Sequence, residues 1–275
     1  MLVGLLPACG QQQEERSLMV SILPQKYLLD SIVGGHFRVE CMLAKGGSPE
    51  SYDPTMNQMM QLERCDAYFL IGNKSFENVL ENRLQESGSD VRLVKSFEGI
   101  ELLRGTCHHH HHEEAIDPHV WVSVSNLRTM ARTMWQAVAG LDEEHAAEYE
   151  ANYRRLDARL ARLQDSLSVR LQPLRGRAFV VWHPALSYFA RDYGLEQVSI
   201  EFDGKETPVR FVEERLAHAR SRGATVFLIQ SGADPRQAET VSRQMQVRVA
   251  EINPLGYNIE QELKTIADEL LRENN

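Results

Sequence analysis

Four side chains able to coordinate a cation stand just beyond segments that read as β-strands. Glu50 lies in "KGGSPESYDPT", His119 in "DPHVW", His183 at the end of "RAFVVWHP", and Asn253 in "VRVAEINPLG". In open α/β sheets, ligands bind beyond the carboxyl ends of the strands, so this placement matters more than any one residue. Two imidazoles and a carboxylate make a credible ligand set for a borderline divalent ion. Imidazole favours zinc, copper or nickel, and a carboxylate widens acceptance toward manganese and iron. The neutral amide of Asn253 is a weaker donor. Prolines at 118 and 184 constrain the backbone beside each histidine, which suits a preorganised site. Taken singly, each residue has a plain structural explanation: a core histidine beside Trp121, a strand-end histidine, a solvated glutamate, a turn asparagine. The metal reading rests on their recurrence at equivalent strand ends.

Elements must carry these residues, and the chain supplies them. Short apolar runs alternate with helical patterns of about three turns: "LMVSILP", "FRVECMLA", "DAYFLIG" and "VRLVKS" in the first half, then "RAFVVWH", "EQVSIEF", "ATVFLIQ" and "VRVAEIN" in the second. Strands alternating with helices indicate βα units and mostly parallel sheets. Between the halves, residues 141–174 contain no Gly and no Pro before Pro173, and Leu156, Leu160, Leu163, Leu167, Leu171 and Leu174 recur at spacings of three and four. That is one apolar stripe on a long helix. The predicted fold is α/β: two βα-sandwich lobes joined by one rigid helix, with the metal site in the cleft between them. The expected boundaries are 17–140 for the first lobe, 141–175 for the helix and 176–275 for the second lobe. "DPRQAETVSRQM" is read as a further helix of the second lobe.

Composition narrows the class. The chain has 275 residues, 43% hydrophobic and 25% charged, with a net charge of −9. This is enough to bury a substantial core, and the acidic balance argues against a nucleic-acid surface. Its cysteines, Cys9, Cys41, Cys65 and Cys107, form neither a CxxC pair nor a dense disulfide framework. Cys9 ends the apolar "MLVGLLPACG" and precedes the polar "QQQEERS". The stretch is similar to a lipoprotein signal whose cysteine takes the lipid. A positive leader is lacking and the apolar run is short, so residues 1–16 are read as a truncated signal and polar tether. No other segment has the length of apolar sequence needed to span a bilayer. A lipid anchor at Cys9 is therefore the expected membrane link.

At these motifs the chain resembles the solute-binding lipoproteins of bacterial zinc and manganese ABC transporters. "GGSPESYDPT" is similar to that family's first-ligand loop, usually Pro-His-Ser-Tyr-Glu-Pro-Thr. "DPHVWVS" is nearly identical to the second-ligand motif, "WHPALSYFARDYG" resembles the third, and "INPLG" resembles the fourth, usually Asp-Pro-Leu-Gly. "FDGKETP" is similar to a Gly-Lys-Glu-Pro loop of the family. The resemblance runs over the whole chain after the tether and implies Zn2+ as a transported ligand. It also implies an ABC permease as partner, a monomeric state, and a location in the periplasm or on the outer face of the cytoplasmic membrane. His119 and His183 carry over directly as ligands. Zinc-type members place histidine at the third position and manganese-type members glutamate, so His183 favours zinc. Glu50 stands where the family has histidine, and Asn253 where it has aspartate. Zinc-type members also often have a His-rich loop before the second motif. Here residues 105–116 contain His108, His109, His110, His111 and His112, followed by Glu113 and Glu114. Five adjacent imidazoles bind zinc in many overlapping ways without fixing one geometry, so the run is read as an auxiliary collector.

Two alternatives stay open. Manganese or iron specificity is possible within the same family. A zinc hydrolase would use the same Glu/His/His set with a base such as Glu206, but neither HExxH nor GxSxG occurs, and the expectation is a protein that is not an enzyme. An adhesin role, attached to some relatives, has no support in the residues.

Overall fold

A computed structural model describes residues 16–43, 49, 52–72, 74–104, 116–201, 209–231, 243 and 247–272. Glu50, the run His108–His112, Cys9, Cys107, Glu206 and, apart from Arg243, the helix expected over "DPRQAETVSRQM" lie outside the described residues.

The first lobe runs β1 (Ser17–Val20), α1 (Leu23–Val33), β2 (Arg38–Cys41), α2 (Met56–Leu62), β3 (Ala67–Leu70), α3 (Lys74–Ser87) and β4 (Arg92–Lys95). Its sheet is parallel throughout, in the order β2-β1-β3-β4. The second lobe contains β5 (Ala178–Val181), α6 (Ser187–Tyr193), β6 (Glu196–Ser199), α7 (Val209–Ser221), β7 (Val226–Gln230), β8 (Arg248–Ile252) and α8 (Ile259–Leu271). Its sheet is also parallel and repeats the same order, β6-β5-β7-β8. In both sheets the chain reverses direction of growth beside the first strand, which places the ligand crevice at the carboxyl ends of β1 and β5.

Period-two alternation explains how the lobes join. Leu18, Val20, Ala67 and Phe69 of the first sheet, and Phe179, Val181, Val226 and Leu228 of the second, all point into one continuous core. Their neighbours in sequence point the other way. Met19, Tyr68 and Leu70 pack with Leu80 and Leu84 of α3, and Ala178, Val180 and Phe227 pack with Leu216 and Ala219 of α7. Strands covered on both faces read as unbroken apolar runs, as "AYFL" and "AFVV" do.

Two helices fill the shared core, α4 (Val124–Leu141) and α5 (Ala146–Leu171). On α5, Leu156, Leu160, Leu163, Leu167 and Leu171 are buried, so the leucine stripe is the face that meets both lobes. It packs on α1 and α4 of the first lobe side and on α6 and α8 of the second. At 26 residues the helix is about 39 Å long, shorter than the Pro-free stretch suggests. Residues 142–145 form a turn instead, because Asp142 ends α4 with its backbone N–H on Val138 O. Helix α4 is an element that the sequence pattern did not single out. Among the described residues, no helix is long and apolar enough to cross a membrane.

Candidate metal centre

His119 is placed by local chemistry. Asp117 Oδ1 accepts the backbone N–H of His119 at 2.9 Å, an Asx-type turn across Pro118. The same oxygen takes the ring Nδ1 of His119 at 2.8 Å. Val120, Trp121 and Val122 then form a buried 3₁₀ turn. Ser123 caps α4 by accepting the Asn126 N–H at 3.1 Å. The histidine therefore stands on an anchored turn, with only 8% of its surface exposed.

His183 follows β5. The chain beyond β6 runs beside it, with Ile200 N–H on Val181 O and Glu201 N–H on Trp182 O, both at 3.0 Å. That register sets Glu201 next to His183, whose Nδ1 meets Glu201 Oε2 at 3.0 Å. Burial pushes the Asp117 carboxyl up, but the hydrogen bonds and charge of His119 outweigh it and hold the group below its ordinary value. A carboxylate only accepts, so Nδ1 carries the hydrogen in each pair, and the neutral form of each ring, the form that binds a metal, has its lone pair on Nε2.

The two Nε2 atoms face each other across the lobes. His119 Nε2 and His183 Nε2 are 3.3 Å apart, with ring centroids 5.1 Å apart and planes at 72°. Two lone pairs at that distance repel unless a proton or a cation lies between them. Zinc–nitrogen bonds of about 2.0–2.1 Å at the tetrahedral angle give a nitrogen–nitrogen edge of roughly 3.3–3.4 Å. The pair thus fits two corners of a tetrahedral zinc site, and two carboxylates behind it supply negative charge. Among the described residues no cluster of three or more His, Cys, Asp or Glu side chains completes a site.

Asn253 lies exposed just after β8, with its backbone N–H donating to Glu262 Oε2 at 3.2 Å. The next residue ties this loop to the first lobe, since Trp121 Nε1–H donates to Pro254 O at 2.8 Å. The Trp121 ring centroid is 5.2 Å from that of His119. Sequence reasoning brought His119 and His183 forward but assigned no role to Asp117 or Glu201. The readable signals were the Asp-x-His spacing and the parallel register that aligns residue 201 with 183.

Comparison with known proteins gives the same answer for the family. The profile of the zinc-uptake complex component A family (ZnuA, periplasmic) matches residues 18–271. The chain belongs to this family. A crystal structure of ZnuA superposes with a TM-score of 0.85 at 30% identity, covering 94% of this chain and 98% of that one. A zinc-bound deletion mutant of ZnuA gives the same TM-score and identity over 95% and 100%. The zinc-binding protein AdcA of Streptococcus pyogenes serotype M3 is 23% identical over 91% of this chain. The chain spans only 52% of the length of AdcA. A putative metal-binding protein of Treponema pallidum is 26% identical over 94% of this chain and 88% of its own length. FpvC of Pseudomonas aeruginosa, solved in complex with Mn2+, shares the fold at 20% identity with a TM-score of 0.79 over 94% of this chain and 98% of its own.

Proposed function

We propose that this ZnuA-family chain is the extracytoplasmic zinc receptor of an ABC importer. It captures Zn2+ between its lobes through His119 and His183 and passes the ion unchanged to a membrane permease. The supporting observation is the pair of Nε2 atoms 3.3 Å apart, with a carboxylate on the Nδ1 of each ring. Glu50 and, more weakly, Asn253 or water complete the ligand set. The zinc-binding relatives and the imidazole pair favour zinc over manganese or iron. In this reading the histidine run collects metal, Cys9 carries a lipid anchor, and the receptor works as a monomer in the periplasm or on the outer face of the cytoplasmic membrane. No reaction is catalysed, and zinc is cargo.

Equilibrium dialysis of the apo protein against zinc and manganese tests the proposal. The expected result is one tight site that prefers zinc. His119→Ala or His183→Ala should weaken it by more than the roughly 100-fold upper figure for losing an outer partner. A preference for manganese would sink the choice of metal, and unchanged affinity in both variants would sink the site. Hydrolytic turnover by the zinc-loaded protein, abolished by His119→Ala, would overturn the reading as a receptor.

A further inference from the structure

We propose that Tyr188 and Ser187, in the first turn of α6, are positioning residues that fix the orientation of His119 from across the lobe boundary. The proposal rests on His119 being a zinc ligand.

Tyr188 is fully buried, so its hydroxyl depends on protein partners for its hydrogen bonds. It has two. It accepts the backbone N–H of Leu103 at 3.0 Å and donates to the backbone carbonyl of Asp117 at 2.9 Å. Those two residues are themselves joined, with Asp117 N–H on Leu103 O at 2.9 Å beside an antiparallel bridge between Arg104 and Ile116. The neighbouring Ser187 side chain also helps to hold the carboxyl of the same aspartate below its ordinary value. Ser187 Oγ is held in turn by Gln197 Nε2 at 2.9 Å, while Gln197 Oε1 takes the Leu186 N–H at 2.6 Å. The second lobe therefore grips Asp117 at its main-chain carbonyl, with the Ser187 side chain acting on its carboxyl.

Asp117 passes that constraint on through its two bonds to His119, at the backbone N–H and at Nδ1. The other imidazole of the pair, His183, belongs to the second lobe and stands only a few residues before this turn of α6. One short stretch, His183 to Tyr188, thus carries one histidine of the pair and the groups that aim the other. Docking of the lobes and setting of the 3.3 Å gap become a single event. A ring buried only for packing would not need its hydroxyl to bridge two segments that meet at the partner of a candidate ligand.

Tyr188→Phe keeps the ring and removes both hydroxyl bonds, and Ser187→Ala removes the other grip. Each should weaken zinc binding by about tenfold, the lower end of the range for an outer partner. Each should also shift the visible d–d bands of the cobalt-loaded protein, which report ligand geometry rather than stability. In an Asp117→Asn background the same changes should add less than about twofold, because residues acting through one partner are not additive. Unchanged zinc affinity and cobalt spectrum in both variants, or full additivity with Asp117→Asn, would overturn the proposal. If Tyr188→Phe does not fold, Ser187→Ala carries the same readouts alone. His119→Ala is measured in parallel. Wild-type affinity in that variant overturns the ligand assignment and this proposal with it, whereas failure of the Tyr188 and Ser187 variants alone overturns only the positioning.

Discussion

Two groups of carboxylate–imidazole pairs in this protein have opposite consequences. At the cleft, Asp117 and Glu201 each hold one nitrogen of a histidine, and the second nitrogens face each other. At the start of α5, Asp142 accepts His145 Nδ1 at 2.9 Å and the Tyr149 hydroxyl at 2.5 Å, and the His145 ring stacks on His36 at 3.8 Å. This second group is closed on itself and ties α5 to the turn after α1. Burial pushes the Asp142 carboxyl up, but Tyr149 and His145 outweigh it, so the folded value lies below the ordinary one. A depressed folded value means that the contribution is full above the unfolded carboxylate range. It disappears as pH falls through the folded value. Asp142→Asn should therefore cost about 1–2 kcal/mol in urea unfolding at pH 7. The difference from wild type should shrink as pH falls below the unfolded carboxylate range and through the lower folded value; a difference that stays constant through acid would show that the charge of Asp142 contributes nothing. Residue types and strand-end positions were enough to bring forward His119 and His183. The carboxylates behind them were not legible in the same way. Asp117 reads as a turn residue until its ring contact is seen, and Glu201 reaches His183 only through the β5–β6 register.

At the scale of elements, the alternation of strands and helices was legible because parallel strands buried on both faces leave unbroken apolar runs. The leucine stripe of α5 was legible for the complementary reason, a single face repeated over many turns. Helix α4 was not singled out, although Val124, Leu127, Met130, Ala131, Met134, Ala137 and Val138 recur at helical spacing, because its buried face mixes Val, Leu, Met and Ala rather than repeating one residue. The antiparallel bridge between Arg104 and Ile116 closes the chain on either side of residues 105–115. Replacing residues 105–115 by Asn-Gly, a two-residue hairpin turn, should leave the melting temperature unchanged or slightly raised, because fewer residues then separate the paired Arg104 and Ile116. One tight zinc site should remain, while the additional zinc taken up at excess metal should fall. Loss of the tight site would mean that a histidine of the run is one of its ligands.

At the scale of the whole molecule, the lobes are not independent bodies joined by a rod. The inner faces of both sheets, α4, α5 and α8 form one continuous core, and polar contacts cross the boundary on more than one side. Arg159 of α5 reaches Glu260 of α8 at 2.7 Å, Glu260 accepts the Tyr27 hydroxyl of α1 at 2.8 Å, and Tyr257 donates to Asp30 at 2.8 Å. Trp121 and Ser123 meet Pro254 and Asp192 of the second lobe at 2.8 and 2.5 Å. A molecule built this way should unfold as one unit. Leu160 sits fully buried midway along α5, so Leu160→Ala should cost about 2–5 kcal/mol and destabilise both lobes together. Far-UV circular dichroism and tryptophan fluorescence followed in one urea titration check this, with Trp121→Phe and Trp135→Phe leaving Trp182 of the second lobe as the sole reporter. Coincident transitions, shifted by the same amount in Leu160→Ala, are the expected outcome. A Trp182 transition that stays put while the rest of the signal moves would mean that the second lobe is stable without the helix. Zinc capture would then have to involve a hinge opening that the shared core argues against.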